Sequence, residues 1–354
     1  MSDAENGFGF ASQLQTLLND ARAWSEQLQR AQTRMVEPLP PCPTMPRDCV
    51  FQVGSARLYR YRPTVAVKRS SPPIVLVFAL INRADILDLG PDRSLIRRLL
   101  DAGRAVYLLD WGDPTPAQAR WGLEHYVCDV MAPALATFAG RAIDLMGVCQ
   151  GGTLALLYAA CFPAQIRKLV VMISTIDFHT DDNLIRHWVR DLDVPAMTTR
   201  FPLIPQAMIA QAFEAMRPFK LHFDKWSYLI DHAEDPPALN RFRWIERWRL
   251  TGPDHAGQAF AEYLQWFYQR NALLNDTVVL GQQRLDFAAL RMPVLGIYAT
   301  YDHIVPIAGA RALSRLLPHC LVEAVEVPTG HIGVYVSQQM PKVANAIVAF
   351  TAGR

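Results

Sequence analysis

Asp144-Leu145-Met146-Gly147-Val148-Cys149-Gln150-Gly151-Gly152 is an apolar run that ends in a Gly-x-Cys-x-Gly turn, and the helix-forming stretch 153–161 follows it. A chain that passes this sharply from strand to helix holds its central residue in a strained conformation and leaves no room for bulky neighbours. Gly147 and Gly151 stand two residues before and two after Cys149, and Gly152 extends the allowance. The pattern is that of a nucleophile elbow with cysteine at its apex. At a helix N-terminus the peptide dipoles and unpaired N–H groups favour a thiolate. The same residues also fit a glycine-rich turn around a buried, inert cysteine, so the reading depends on what else the chain supplies.

Outward from the elbow, β-rich runs alternate with helical stretches. Residues 74–80, 105–109, 143–146 and 169–173 read as buried strands, with helices near 92–102, 116–139 and 153–162 between them. Upstream, 50–53 and 57–61 flank a Gly-Ser turn and read as an antiparallel pair at a sheet edge. The alternation resumes at 294–299, with a helix near 308–317, a strand at 321–327 and a closing helix near 340–351. This predicts an α/β fold whose mostly parallel central sheet is flanked by helices. Residues 46–175 and 288–354 form that core, and 176–287 interrupt it. The interruption lacks clear strands and holds Trp188, Trp226, Trp244, Trp248 and Trp266, five of the eight tryptophans. It is expected to be an inserted, mainly helical cap over the elbow, or else a helical layer with an ordinary aromatic core.

Residues 1–45 comprise a helix and a proline-rich linker. Phe10, Leu14, Leu17, Ala21, Trp24, Leu28, Ala31 and Met35 recur at alternating intervals of four and three, which suits a helix laid on another helix, in the same chain or in a partner. Pro38-Leu39-Pro40-Pro41-Cys42-Pro43 ends it.

Composition excludes several classes. A net charge of +2 gives no nucleic-acid footprint. The longest clean apolar run, 74–81, is too short for a membrane span. The opening Met1-Ser2-Asp3-Ala4-Glu5-Asn6 lacks the order of a signal peptide. Cys42, Cys49, Cys128, Cys149, Cys161 and Cys320 contain no CxxC pair and read as reduced thiols of a cytoplasmic protein. No metal spacing or phosphate loop is present, so no metal or cofactor is expected.

A nucleophilic cysteine needs a base, and the base needs an orienting acid. Asp302 lies in Ala299-Thr300-Tyr301-Asp302-His303-Ile304-Val305-Pro306, after the strand 294–299. His331 lies in Pro328-Thr329-Gly330-His331-Ile332-Gly333, after the last strand. Nucleophile, acid and base thus follow in chain order, each in a loop at the C-terminal end of a strand. His303 is the weaker base candidate. Oxyanion donors are expected from the N–H of Gln150 and from the loop Ala79-Leu80-Ile81-Asn82-Arg83, with Ile81, to within one residue, as the donor. Asp110 reads as a turn or cap residue.

These segments, with Val106-Tyr107-Leu108-Leu109-Asp110-Trp111-Gly112 and Gly330-His331-Ile332-Gly333-Val334-Tyr335-Val336-Ser337, resemble the catalytic subunit of class III polyhydroxyalkanoate synthases, cysteine-dependent relatives of the α/β-hydrolases. The resemblance runs from about residue 60 to the C-terminus and implies the α/β-hydrolase fold. It implies an acyltransferase that polymerises (R)-3-hydroxyacyl-CoA, above all 3-hydroxybutyryl-CoA, through an acyl-cysteine with release of CoA. Cys149 would carry the acyl group, His331 would be the base and Asp302 the acid. The resemblance further implies a second synthase subunit, a homodimer or hetero-oligomer, and residence at the surface of a growing polyester granule. Class IV synthases share the cysteine elbow with a different small partner, which leaves the partner's identity open. A cysteine-type thioesterase or lactone hydrolase would use the same three residues while admitting water. A scaffold or granule-coat protein would leave them idle.

Overall fold

Eight of the apolar runs pair into one sheet. A computed structural model describes residues 3–67 and 71–352, without the side chains of 3–13 and 220–222. The strands are β1 (Arg47–Val53), β2 (Ala56–Tyr61), β3 (Ile74–Val77), β4 (Val106–Asp110), β5 (Ile143–Val148), β6 (Ile166–Met172), β7 (Val294–Ala299) and β8 (Val322–Val327). Their spatial order is β1-β2-β4-β3-β5-β6-β7-β8. From β4 to β8 every pairing is parallel. The hairpin β1–β2 is antiparallel, and β2 joins β4 antiparallel. Parallel strands covered by helices on both faces need no alternation, and β3 and β5 are buried along their whole length. Because β3, β5, β7 and β8 run the same way, the loops after them emerge at one edge of the sheet.

The helix Gln150–Cys161 packs on β5 and is apolar nearly all round, with ten of its residues buried. A helix without a polar face belongs inside a core. The other end of β5 is tied down electrostatically. Asp144 accepts from Arg104 at 2.8 Å and Arg167 at 2.6 Å, and its side chain is 1% exposed. Both guanidinium groups also donate to the carbonyl of Thr351, at 3.0 and 2.7 Å, which pins the closing helix Met340–Ala352.

Residues 176–287 are mainly helical. They contain the helices Leu184–Val189, Val194–Arg200, Gln206–Ala215, Pro218–Asp231, Pro236–Leu250 and Gly257–Tyr263, the last continuing as a π-helix over Leu264–Gln269. Two pairs of two-residue strands, Leu203–Ile204 with His255–Ala256 and Val279–Leu280 with Gln283–Arg284, lie among them.

The chain forms two compact units, Met1–Cys42 with Arg217–Arg247, and Pro43–Met216 with Trp248–Arg354. The first is built on the long helix Asp3–Val36 and has its own small core of Ala31, Leu229, Ala233 and Leu239 flanked by Met35 and Phe242. The eight-residue stripe thus divides. Its C-terminal members pack within this unit, whereas Leu14, Leu17 and Trp24 are exposed. The Phe10 side chain lies outside the described residues. The second unit contains the whole sheet and every residue of the candidate site.

Candidate active site

Cys149 caps the helix Gln150–Cys161 with φ 56° and ψ −127°, a conformation that L-residues rarely adopt. The turn is tight enough that side chains at its flanks have no space. A Cβ on Gly147 would lie 2.5 Å from the Gly151 carbonyl oxygen, and one on Gly151 would lie 2.7 Å from the Phe78 oxygen, just past β3. The strained peptide is held on both sides. Cys149 N–H donates to the Met172 carbonyl at 2.9 Å, and the Cys149 carbonyl accepts from the Ser174 hydroxyl at 2.7 Å and the Gly152 N–H at 2.9 Å. Beside it, Ile173 also has positive φ, 44°, an outlying conformation for a β-branched residue. Strain of this kind persists where the surroundings over-determine it.

His331 and Asp302 meet Cys149 from the loops after β8 and β7. His331 Nδ1 lies 2.7 Å from Asp302 Oδ2. An ionised carboxylate only accepts, so Nδ1 carries the proton and Nε2 is left to face the thiol, with which the imidazole is also hydrogen-bonded. Asp302 Oδ1 is occupied by the N–H groups of Ile304 and Val305, each at 2.9 Å. Burial acts to lower the His331 pKa. The charges of Asp302 and Cys149, with hydrogen bonds to both, override it and raise the pKa well above the ordinary value.

The loop after β3 is tied to the start of the helix Gln150–Cys161. Leu80 N–H donates to Gln150 Oε1 at 2.9 Å, so the side chain following Cys149 ties the helix start to the end of β3. With Leu80 engaged, Ile81 is the next backbone donor along that loop. Asp110 accepts from Gly112 N–H at 3.0 Å and pairs with Arg47 at 3.4 Å, a turn residue with a salt bridge.

Aromatic side chains crowd the same region. Phe178 packs against Tyr263, Phe267 and Tyr268, with centroids 6.0, 5.5 and 4.8 Å apart. The Tyr263 hydroxyl lies 3.1 Å from the Thr153 hydroxyl, in the first turn of the helix Gln150–Cys161. Burial raises the pKa of Tyr263 and Tyr268, and a smaller contribution from the Cys149 charge adds to it. Nothing local to either segment signals that Ser174 braces the elbow or that Tyr263 reaches Thr153. Both follow from contacts between distant segments and carry no local motif. Among the described residues no cluster of His, Cys, Asp and Glu is arranged to hold a metal, and no helix is long and apolar enough to cross a membrane.

A family model described as alpha/beta hydrolase fold matches residues 72–337. The chain is similar to Poly(3-hydroxyalkanoate) polymerase subunit PhaC of Allochromatium vinosum, with 37% identity over 302 residues, 84% of this chain and 85% of that protein. The polymerase subunit of the same name from Thiocystis violacea is 33% identical over 301 residues, again 84% of this chain and 85% of its own. Among solved structures, MenH from S. aureus superposes with a TM-score of 0.55 at 16% identity, over 85% of this chain and 98% of that one. That last likeness bears on the fold alone.

Proposed function

The chain belongs to the α/β-hydrolase family and, within it, to the poly(3-hydroxyalkanoate) polymerase subunits, and from that premise we propose that Cys149 carries the growing acyl chain in a polymerase of (R)-3-hydroxyacyl-CoA. The observation that carries the reading is the line of contacts from Asp302 through His331 to Cys149. Thioester exchange suits a thiol, because the bond formed resembles the bond broken. The Cys149 sulfur attacks the thioester carbon of 3-hydroxybutyryl-CoA, and the N–H groups of Gln150 and Ile81 hold the oxyanion. CoA leaves with the proton that His331 had accepted from Cys149. In elongation the 3-hydroxyl oxygen of another acyl unit attacks the acyl-cysteine carbon. His331 removes the hydroxyl proton, an ester forms, and the sulfur departs.

Asp302 works through His331 in this scheme. Its side chain is 1% exposed, and both its oxygens are already engaged. The carboxylate stabilises the imidazolium instead of touching the incoming hydroxyl. The aromatic group of Phe178, Tyr263, Phe267 and Tyr268 supports a cap in residues 176–287 that keeps water from the acyl-cysteine. The word subunit in the names of the relatives, with the exposed Leu14, Leu17 and Trp24, supports a second synthase subunit in a hetero-oligomer. Residence in the cytoplasm at a polyester granule surface completes the proposal.

The test is to incubate the chain with 3-hydroxybutyryl-CoA, with and without a partner subunit. Thiol release, insoluble polymer and the acyl adduct on Cys149 by mass spectrometry are then followed. Thiol release with polymer is expected, and Cys149→Ala abolishes both. Release of soluble hydroxy acid without polymer would overturn the polymerase in favour of a hydrolase.

A further inference from the structure

Tyr335 is 1% exposed, and its hydroxyl is buried without a hydrogen-bond partner among the described residues. An orphaned buried hydroxyl costs about 1–3 kcal/mol. Such a group therefore calls for a ligand or a reason. Its placement supplies one. Tyr335 sits in the short helix Gly333–Val336, four residues after His331 in the same loop. The Gly333 and Tyr335 N–H groups donate to the Gly330 and Ile332 carbonyls at 3.0 and 3.1 Å, which ties the Tyr335 backbone to the histidine loop. Its other neighbour is the donor strand end. The ring meets Phe78 edge-on, with centroids 6.3 Å apart and planes at 60°. Phe78 is fixed in turn, its carbonyl accepting the Trp111 indole N–H at 3.0 Å, and it lies three residues before Ile81.

The ring is thus held between the His331 loop and the Phe78 end of β3. Burial, with smaller contributions from the Cys149 and Asp302 charges, raises its pKa well above the ordinary phenol value. It stays protonated and remains a donor. Tyr263 makes the contrast, since it also feels the Cys149 charge but spends its hydroxyl on Thr153. Asp302, whose charge acts on Tyr335, already accepts from Ile304, Val305 and His331. An acceptor that arrives with the substrate would satisfy the Tyr335 hydroxyl.

We propose that the Tyr335 hydroxyl is a third oxyanion donor, hydrogen-bonding the acyl oxygen on Cys149 beside the backbone N–H groups of Gln150 and Ile81. The inference rests on Cys149 as the acyl carrier. Both half-reactions pass through a tetrahedral oxyanion on the same carbon, so the donor serves acylation and elongation alike.

Tyr335→Phe removes only the oxygen. It should lower single-turnover CoA release and steady-state kcat by a similar factor, about 10- to 100-fold by analogy with the loss of one oxyanion donor. KM should stay within about twofold, because the interaction forms in the transition state. The variant should melt no lower than the wild type, since the change removes an unpartnered buried hydroxyl, and that melting curve excludes a folding defect. Unchanged kinetics overturn the proposal, as does a rise in KM at constant kcat or a loss confined to elongation. Mass spectrometry of the wild type keeps the two readings apart. No acyl group on Cys149 sinks the polymerase scheme itself, whereas a wild-type adduct with a fully active Tyr335→Phe sinks only the third donor.

Discussion

Two buried histidines in one compact unit meet opposite electrostatic fates. His255, in the helical region, is 1% exposed, and its Nδ1 lies 2.9 Å from the Ala256 carbonyl. Burial lowers its pKa to about 4 against the small opposing effect of that carbonyl, so it is neutral at ordinary pH. His331 is 8% exposed and suffers the same desolvation, yet its pKa is raised well above the ordinary value. The difference is a buried carboxylate. A low-dielectric surround disfavours an isolated imidazolium but strengthens its attraction to a fixed negative charge. Asp302 is kept in place for that purpose by two backbone N–H groups of its own loop. Burial alone therefore lowers a histidine's pKa here, and burial beside Asp302 is outweighed so that the pKa rises.

The strongest way to break the contrast is to make His331 resemble His255. Asp302→Asn removes the charge while keeping most of the shape. Elongation, which needs a base to activate an alcohol, should slow by about 10²-fold or more, within the range for general base catalysis. Acylation should fall less, because a thiol loses its proton more easily than an alcohol and CoA is a good leaving group. Rapid-quench measurement of CoA release against polymer formation separates the two. Equal losses in both steps would show that Asp302 only orients the imidazole.

His255 offers the converse test through acid stability. Its folded pKa lies below the unfolded value near 6.5, so the unfolded chain binds the extra proton first. Its contribution to stability is intact above pH 6.5 and is lost progressively as pH falls towards 4. A depression of this size is linked to about 3 kcal/mol in total. His255→Asn removes the titration and retains a short polar side chain. Denaturant midpoints measured from pH 7 down to pH 4 should fall more steeply for the wild type than for the variant. Parallel curves would mean that His255 is charged in the folded protein.

What the sequence disclosed and what it withheld divide along the same physical line. The proximity of Cys149, Asp302 and His331 is legible because each stands in a short motif at a strand end, and strand ends in a parallel sheet share an edge. The β3 strand was read as 74–80 but ends at Val77. Beyond it the Phe78 carbonyl turns to the Trp111 indole and Leu80 N–H to the Gln150 side chain, which takes both out of the ladder. The helix read across 116–139 is broken into a 3₁₀ turn at Pro116–Arg120, a π-helix at His125–Met131 and the α-helix Ala132–Ala136. Pro133 has no N–H to continue an α-helical ladder, and its ring crowds the preceding turn, which a widened helix relieves. Ser174, Tyr263 and Tyr335 could not be assigned because their meaning lies in a partner, or the lack of one, across the fold. Thr153 and Tyr263 are 110 residues apart.

The smallest expected effect is on His331 itself, and it sharpens the comparison from the thiol side. Two negative partners raise its pKa, Asp302 more than Cys149. Cys149→Ala deletes the weaker partner and leaves the carboxylate and its hydrogen bonds intact. The imidazole titration midpoint, followed by NMR of labelled histidine, should fall in Cys149→Ala and fall further in Asp302→Asn. The His255 resonance should serve as an internal reference that neither change moves. If the midpoint of His331 were the same in Cys149→Ala as in the wild type, the sulfur would contribute no negative charge to the site. The nucleophile would then have to be generated only on substrate binding, by proton transfer to His331 at the moment of attack.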